Sequence, residues 1–250
     1  MKCGVVVFPG SNCDHDLYHA MGHVLGQEAT FLWHQNDSVE GCDFVLLPGG
    51  FSYGDYLRAG SMAAVSPVMN AVRRFAEQGG PVLGICNGFQ ILLESELLPG
   101  AMRRNRDLRF LSRDVYIRVE RNDLPFTSRL TEGDVLRIPI AHAEGNYVDT
   151  EDRLDELEGN RQVVFRYCDA SGKVDAASAS NPNGSERAIA GICSAAGNVC
   201  ALMPHPERCA EEILGKTDGL RLLEGVIHSV ASGRSAPTEM PSMQTAGASS

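Results

Sequence analysis

The hydrophobic positions of the first hundred residues fall into short continuous runs separated by stretches of mixed character. Each run spans five or six positions, is rich in aliphatic or β-branched side chains, and is bounded by Pro, Gly or polar residues, which is typical of buried strands. Four such runs occur, at residues 3–8, 29–33, 44–48 and 81–85. We therefore predict four strands in this part of the chain.

Two of the intervening stretches have the spacing of amphipathic helices. In residues 11–26 the apolar side chains share one face, and Ser11 or Asn12 would cap the amino terminus. The stretch 66–80 opens with a serine before a proline and closes on two glycines, so both ends of a helix are marked. Strands that alternate with helices in this way indicate parallel strands joined by crossover helices.

The pattern changes after about residue 107, where longer runs predict extended and partly antiparallel strands. These runs lie at residues 108–120, 134–142, 162–169, 188–194 and 198–204, and a final helix is expected at 218–231. We predict an α/β fold with an open, mostly parallel twisted sheet flanked by helices, flavodoxin-like, with some antiparallel strands in the second half. Residues 1–231 would form the domain, and the Ser/Pro/Ala-rich residues 232–250 a disordered tail.

The composition of the chain indicates its cellular compartment and argues against some classes of partner. The net charge of −10 argues against nucleic acid or an anionic membrane as a partner. No apolar run reaches the roughly 18 residues of a membrane span, and the amino terminus has no signal-peptide pattern. The eight cysteines therefore indicate reduced thiols of a cytoplasmic protein rather than a disulfide framework.

One group of residues has the chemical character of metal ligands. Cys200, His205 and Cys209 lie within ten positions of one another, but this spacing matches no zinc motif. We therefore predict no metal site.

Cys86 lies where the predicted strand at 81–85 meets the helical stretch that follows it. Glycines at 84 and 88 flank it in a G-x-C-x-G pattern, the cysteine form of the elbow that presents a nucleophile. Such a turn pushes its side chain out at the carboxyl edge of the sheet, and the next helix's amino terminus favours a thiolate. We interpret Cys86 as a nucleophile at the surface. The alternative is a buried structural cysteine, and we assign no chemistry to the other seven.

A cysteine nucleophile needs a base, and the base needs a group that orients it. His205 follows the apolar run at 198–204 and would lie at the same sheet edge, with Glu207 close enough to fix its tautomer. The alternative is a loop histidine beside a solvated glutamate. His142 is the main competitor for the role of base.

The oxyanion of such a reaction is stabilised by backbone N–H donors. The N–H of Asn87 directly follows the thiol. Gly49 and Gly50 follow the strand at 44–48, in a loop whose glycines leave N–H groups unobstructed. An ordinary glycine-rich turn is the alternative.

The P-G-G, G-x-C-x-G and H-P-E motifs, in that order, resemble those of the class I (triad) glutamine amidotransferases. That family hydrolyses glutamine to glutamate and ammonia through a cysteine thioester. The resemblance covers roughly residues 1–231 and is strongest to one branch, the glutaminase subunits of phosphoribosylformylglycinamidine synthases of purine biosynthesis. It is carried by the segments at 10–16, 48–60, 84–92, 139–147, 181–185 and 203–208.

The resemblance implies roles for three groups of residues. The catalytic residues would be Cys86, His205 and Glu207. The oxyanion hole would be framed by Gly49, Gly50 and Asn87. The amino-acid substrate, glutamine, would lie near Gln90, His142, Glu144, Asn146 and Tyr147.

The chain has neither the G-x-x-x-x-G-K-[ST] phosphate loop nor the dinucleotide motif G-x-G-x-x-G. We therefore expect no cofactor in this chain. A separate large synthetase would use ATP and Mg²⁺, and the ammonia, to convert formylglycinamide ribonucleotide to formylglycinamidine ribonucleotide; a small third subunit is a further candidate partner. Two other functions stay open: a non-catalytic regulatory or binding module, and a thiol hydrolase on the same scaffold.

Overall fold

The computed structural model describes residues 1–39 and 41–233. Within that range the chain forms eleven strands. In chain order they are β1 (Lys2–Val7), β2 (Glu28–Trp33), β3 (Phe44–Leu47), β4 (Val82–Ile85), β5 (Ala101–Arg103), β6 (Leu111–Val119), β7 (Val135–His142), β8 (Asn146–Val148), β9 (Val163–Cys168), β10 (Ile189–Cys193) and β11 (Val199–Leu202).

Nine of these strands form one sheet in the order β2-β1-β3-β4-β11-β10-β9-β6-β7, and β5 pairs with β8 in a separate ladder. The neighbouring pairs from β2 to β11 are parallel, and those from β11 to β7 are antiparallel. The predicted fold class is confirmed. The sequence pattern separates the two halves because buried parallel strands are continuously apolar, whereas the antiparallel strands β6 and β7 alternate.

The α-helices of the described range are α1 (Asp14–His19), α2 (Ser61–Ala64), α3 (Pro67–Glu77), α4 (Asn87–Glu94), α5 (Glu151–Gly159) and α6 (Asp218–Ala231). Helix α3 begins after Ser66 as predicted, and α6 has the predicted bounds. None of the helices in the described part of the chain combines the length and apolar character needed to cross a bilayer.

The first helix begins later than the sequence predicts. Its N-cap is Cys13, not Ser11 or Asn12, and after His19 it continues as a π-helix over Ala20–Val24. The prediction was wrong because the residues ahead of the helix are held against the glycine loop: Ser11 forms a bridge with Gly50, and the N–H groups of Asn12 and Cys13 both donate to the carbonyl of Gly49, at 3.3 and 3.0 Å, so the helix begins only after Cys13.

The centre of the sheet brings three chain segments to one edge. Strands β3, β4 and β11 are buried along their whole length. In their register Leu202 lies beside Ile85, and Leu47 lies beside Gly84. Because the three strands are parallel, the residues after their carboxyl ends meet at the same place. The predicted domain 1–231 and tail 232–250 remain predictions, since residues 234–250 lie outside the described part.

Candidate active site

The elbow between β4 and α4 holds Cys86 in a disfavoured backbone conformation, with φ 51° and ψ −104°. The flanking glycines are explained by close packing. A Cβ on Gly88 would lie 2.1 Å from the carbonyl oxygen of Leu47, and one on Gly84 would lie 2.8 Å from the backbone of Gly88. A backbone held in such a conformation destabilises the folded state by about 1–3 kcal/mol, and strain of this kind is characteristic of functional sites.

The thiol of Cys86 is not at the surface, and that part of the sequence-based expectation was wrong. The residue is 4% exposed, and its sulfur lies 3.7 Å from the carbonyl oxygen of Ala141. The small pocket beside it is lined by Gly50, Phe51, Asp55, Cys86, Gln90, Ala141, His142, Ala143 and Glu144. Its volume is about 50 Å³, room for a few water molecules but far below the ~300 Å³ of ordinary ligand sites. The site is therefore closed.

His205 and Glu207 form a buried pair at the end of β11. The imidazole Nδ1 lies 2.6 Å from Oε1 of Glu207, and both side chains are almost wholly inaccessible. The N–H of His205 donates to the carbonyl of Pro139 at 2.8 Å, which fixes the backbone. Because Nδ1 is taken by the carboxylate, Nε2 is the nitrogen that remains for a reacting group, and it has no hydrogen-bond partner in the described part.

The charges around His205 favour its protonated form. Burial alone would lower the pKa of the imidazole, but the charges of Glu207 and of Cys86 outweigh burial and raise that pKa well above its usual value. Cys86 therefore lies within electrostatic reach of the ring. Thiol, imidazole and carboxylate are therefore close enough to influence one another's charge, as an imidazolium–thiolate pair requires.

Cys13, to which the sequence analysis assigned no chemistry, lies beside this pair. Its sulfur is 3.8 Å from Nδ1 of His205 and accepts a hydrogen bond of 3.0 Å from Nη2 of Arg208. Burial raises the pKa of this thiol. Nothing in the sequence indicates the contact, because it joins positions 192 residues apart.

The same cluster bears on metal binding. Among the described residues, Cys13, His205 and Glu207 are the set whose ligand atoms all lie within 4.8 Å of one another. The possible metal ligands considered from the sequence were instead Cys200, His205 and Cys209. The guanidinium of Arg208 on the Cys13 sulfur places a fixed positive charge where a cation would bind, so the geometry gives no support to a metal there.

The glycine loop after β3 directs one N–H towards the pocket. The carbonyl of Gly49 accepts hydrogen bonds from the N–H groups of Asn12 and Cys13, at 3.3 and 3.0 Å. In a trans peptide the N–H of Gly50 then points the opposite way, and Gly50 lines the pocket. Gly49 itself packs on the base, since a Cβ there would lie 2.6 Å from Cε1 of His205.

Asn87 contributes both its backbone and its side chain. Its N–H belongs to the first turn of α4, where no intrahelical acceptor is available. Its side-chain Oδ1 accepts from the N–H and hydroxyl of Ser52, at 3.1 and 2.5 Å, and its Nδ2 donates to Gln90 at 2.8 Å. Gln90 in turn donates to the carbonyl of Glu144 at 2.6 Å. These bonds tie the elbow to both loops that cover the pocket.

The predicted substrate-binding residues divide into two groups. Gln90, His142 and Glu144 line the pocket. Asn146 and Tyr147 do not: they belong to β8, and the Tyr147 hydroxyl donates to the carbonyl of Pro99 at 3.0 Å. The geometry therefore gives these two residues a packing role, because β8 turns away from the pocket to pair with β5.

His142 is a neutral neighbour of the base. Its Nδ1 lies 3.0 Å from Oδ1 of Asn105, a residue that the sequence analysis did not identify. Burial and the positive charge of His205 lower the pKa of His142 to about 3. A group with that pKa is a poor proton acceptor near neutrality, which favours His205 as the base.

Asp55 is a second residue that the sequence analysis missed. It lines the pocket, and burial together with the nearby charge of Glu144 raises its pKa to about 6. Two carboxyl groups so close together make the pocket suited to a positively charged ligand group. Its position in the F-S-Y-G-D segment is the signal that could have identified it.

Comparison with known proteins agrees with this geometry. The family model for CobB/CobQ-like glutamine amidotransferase domains matches residues 1–218, and the chain belongs to this family of glutamine amidotransferases. It is 58% identical to phosphoribosylformylglycinamidine synthase subunit PurQ of Moorella thermoacetica, over 91% of this chain and 95% of that protein. The corresponding subunit of Salinibacter ruber is 55% identical, over 92% and 97%. The structure of PurLQS from Thermotoga maritima has a TM-score of 0.80 and 40% identity, over 92% of this chain and 98% of that one.

Proposed function

We propose that this chain is the glutaminase subunit of a phosphoribosylformylglycinamidine synthase, acting in the cytoplasm. It hydrolyses L-glutamine to glutamate and ammonia. The observation that carries the proposal is the buried Cys86, strained at the elbow of β4 and α4, within electrostatic reach of an imidazole held by Glu207. The similarity to subunits of that name along nearly their whole length supports the choice of substrate and pathway.

The reaction begins with an ion pair. Glu207 holds the Nδ1–H of His205, so that Nε2 can take the thiol proton of Cys86. The thiolate attacks the carboxamide carbon of glutamine, and the carbonyl π pair moves onto oxygen. The N–H groups of Gly50 and Asn87 stabilise that oxyanion.

The tetrahedral intermediate then collapses with release of ammonia. The C–N bond breaks as the imidazolium of His205 gives its proton to the leaving nitrogen, and a glutamyl thioester on Cys86 remains. Water, deprotonated by the now neutral Nε2, attacks the thioester. The C–S bond breaks, glutamate leaves and the thiol is restored.

The ammonia must be used by another polypeptide. The similar proteins are named as subunits of a synthase, which supports assigning the ATP- and Mg²⁺-dependent amination to a separate large synthetase, and we expect no cofactor in this chain. A small third subunit is a further candidate member of the complex. Ammonia released into water is mostly protonated at neutral pH and no longer nucleophilic, so hydrolysis should be fast only when the acceptor is in place.

The test is glutamate release by the isolated chain and by the chain with the synthetase, its nucleotide and its acceptor substrate. We expect low turnover from the isolated chain, because its pocket of about 50 Å³ does not admit glutamine, and a large rise in kcat with the complete system. Cys86→Ala is the control and should release no glutamate in either case. Release by this variant would contradict the proposed nucleophile.

Two further measurements, binding of the synthetase and covalent labelling of Cys86, separate the two remaining alternatives. A regulatory module would bind the synthetase without releasing glutamate. A thiol hydrolase of another specificity would ignore glutamine but still form a covalent adduct at Cys86 with an electrophilic substrate analogue.

A further inference from the structure

Two loops beside the pocket expose large apolar side chains. Residues 51–57 contribute Phe51, Tyr56 and Leu57, and residues 104–110 contribute Leu108 and Phe110. Their exposed fractions run from 45% for Phe51 to 77% for Leu57. The loops meet where the rings of Phe51 and Phe110 lie 6.4 Å apart. Clustered exposed side chains of this size mark interaction sites, and aromatic residues are enriched in protein interfaces. We call these five residues the mouth patch.

The mouth patch flanks the entrance to the pocket. Phe51 is itself a lining residue. The other loop is fixed to the segment that roofs the thiol: the N–H of Asn105 donates to the carbonyl of Ala143 at 2.9 Å, and Oδ1 of Asn105 accepts from the N–H of Gly145 at 3.0 Å. A molecule seated on the patch would therefore cover the exit from the thiol.

The charge around the patch is opposite to that of the chain. The chain carries a net charge of −10, yet residues 102–113 contain five arginines and one acidic residue, Asp107. All five arginines are exposed, at positions 103, 104, 106, 109 and 113. Arg103 and Arg104 approach Glu186 and Glu144 at 3.6 Å, whereas Arg109 and Arg113 form no ion pair with a described residue. We call the five arginines the basic rim. Arg109 and Arg113 can therefore form ion pairs with acidic groups of a partner.

We propose that the mouth patch and its basic rim are the docking surface for an apolar, acid-rimmed face of the ammonia-accepting synthetase. The inference rests on the proposed function, since it is ammonia transfer that requires a partner over the pocket. A second copy of this chain does not fit, because a two-fold contact would set arginines against arginines. An acidic partner gains from the same charges, which steer its approach and fix its orientation.

The experiment measures binding of the purified synthetase by calorimetry, at about 50 mM and about 300 mM salt, which spans strong and weak screening. One variant, Arg109→Glu with Arg113→Glu, reverses the rim. A second, Leu57→Asp, changes the patch, and its backbone φ of 70° is one that Asp tolerates. The control, Arg129→Glu with Arg161→Glu, reverses two exposed arginines that precede β7 and β9, and Arg161, unlike Arg109 and Arg113, gives up an ion pair, with Glu132 at 3.2 Å. Unfolding midpoints check that every variant folds.

We expect the rim variant to bind at least tenfold more weakly at low salt and to lose most of the salt dependence of the wild type. Leu57→Asp should bind at least tenfold more weakly at both salt concentrations, because it puts a charge into an apolar contact. The control should bind like the wild type. The rise in glutamate release at a fixed, subsaturating synthetase concentration should fall in the same order as affinity.

Three results would overturn the inference. If the wild type binds and is stimulated, and the rim variant and Leu57→Asp both behave like the wild type, the docking surface is wrong and the proposed function stands. If the control loses as much affinity as the rim variant, the effect is one of net charge and not of this surface. If the wild type is neither bound nor stimulated, the proposed function fails together with the inference.

Discussion

Glu207→Gln tests the electrostatic core of the site. The substitution keeps an oxygen that can accept from Nδ1 of His205, at the 2.6 Å position of the present contact, and removes only the negative charge. Two unit charges about 4 Å apart interact by about 4 kcal/mol at the effective dielectric constant of about 20 that suits protein sites. Loss of that stabilisation of the imidazolium corresponds to about a thousandfold lower kcat/KM.

The variant should also change the pH dependence. Glu207 opposes the effect of burial and raises the pKa of His205. Without the carboxylate this pKa falls, so the imidazolium that protonates the leaving nitrogen is lost at lower pH, and the alkaline limb of the profile shifts to lower pH. The raised pKa of His205 also makes stability depend on pH. The His205–Glu207 pair stabilises the folded state fully below the ordinary pKa of an imidazole, and this stabilisation is lost as the pH rises through the raised pKa of His205.

The assay is glutamate release with the complete synthetase system, measured across pH and normalised to folded protein. Normalisation is needed because breaking a buried ion pair costs about 3–5 kcal/mol of folding free energy. Glu207→Asp keeps the charge and should recover part of the rate, and Glu158→Gln removes a partly buried carboxylate that binds Arg166 away from the site. A Glu207→Gln enzyme within tenfold of the wild type, with an unchanged alkaline limb, would refute the reasoning.

The remaining predictions concern the thiols and the competing histidine. Cys86→Ala and Cys86→Gly should both abolish glutamate release, and the glycine variant should be about 1 kcal/mol more stable than the alanine variant in urea unfolding, because it relieves the strained φ of 51°; equal stabilities would contradict the strain. Cys42→Ala should leave turnover intact. Cys13→Ala should lower kcat about fivefold at unchanged KM, because one hydrogen bond is worth about 1 kcal/mol. Cys13→Ser should recover part of that loss. If only the unfolding midpoint changes, Cys13 has a structural role alone. His205→Asn should lose several orders of magnitude in single-turnover thioester formation and His142→Asn far less, and the reverse order would identify the wrong base.

Much of the fold follows from the sequence because its signals are local. The runs at 44–48 and 81–85 are apolar on every residue, and the corresponding strands are buried on both faces. The G-x-C-x-G pattern encodes the elbow in the same way, since a Cβ at Gly88 would collide with the end of β3. Short-range patterns of this kind report burial and close approach directly.

The contacts that the sequence did not reveal are those between distant segments. Cys13 contacts His205, 192 positions away, and Asn105 contacts His142, 37 positions away. Neither Cys13 nor Asn105 belongs to a local sequence pattern that indicates the contact. The start of α1 was predicted too early for the same reason, because Ser11 is drawn into a bridge with Gly50. The exposure of Cys86 was predicted wrongly because the roof of the pocket comes from β7 and the residues after it, far along the chain.

The closed pocket and the mouth patch are features of one loop. In residues 51–57, Tyr53, Asp55 and Leu57 all have positive φ, each a disfavoured conformation for a residue with a side chain. The hydrogen bonds of Ser52 to Asn87 hold this loop over the thiol, while Tyr56 and Leu57 extend from it into solvent. We expect glutamine to enter only when one of the two segments that line the pocket, 50–55 or 141–144, moves. A partner that binds Tyr56 and Leu57 would contact the same loop that covers the thiol, so we expect partner binding and opening of the pocket to be coupled.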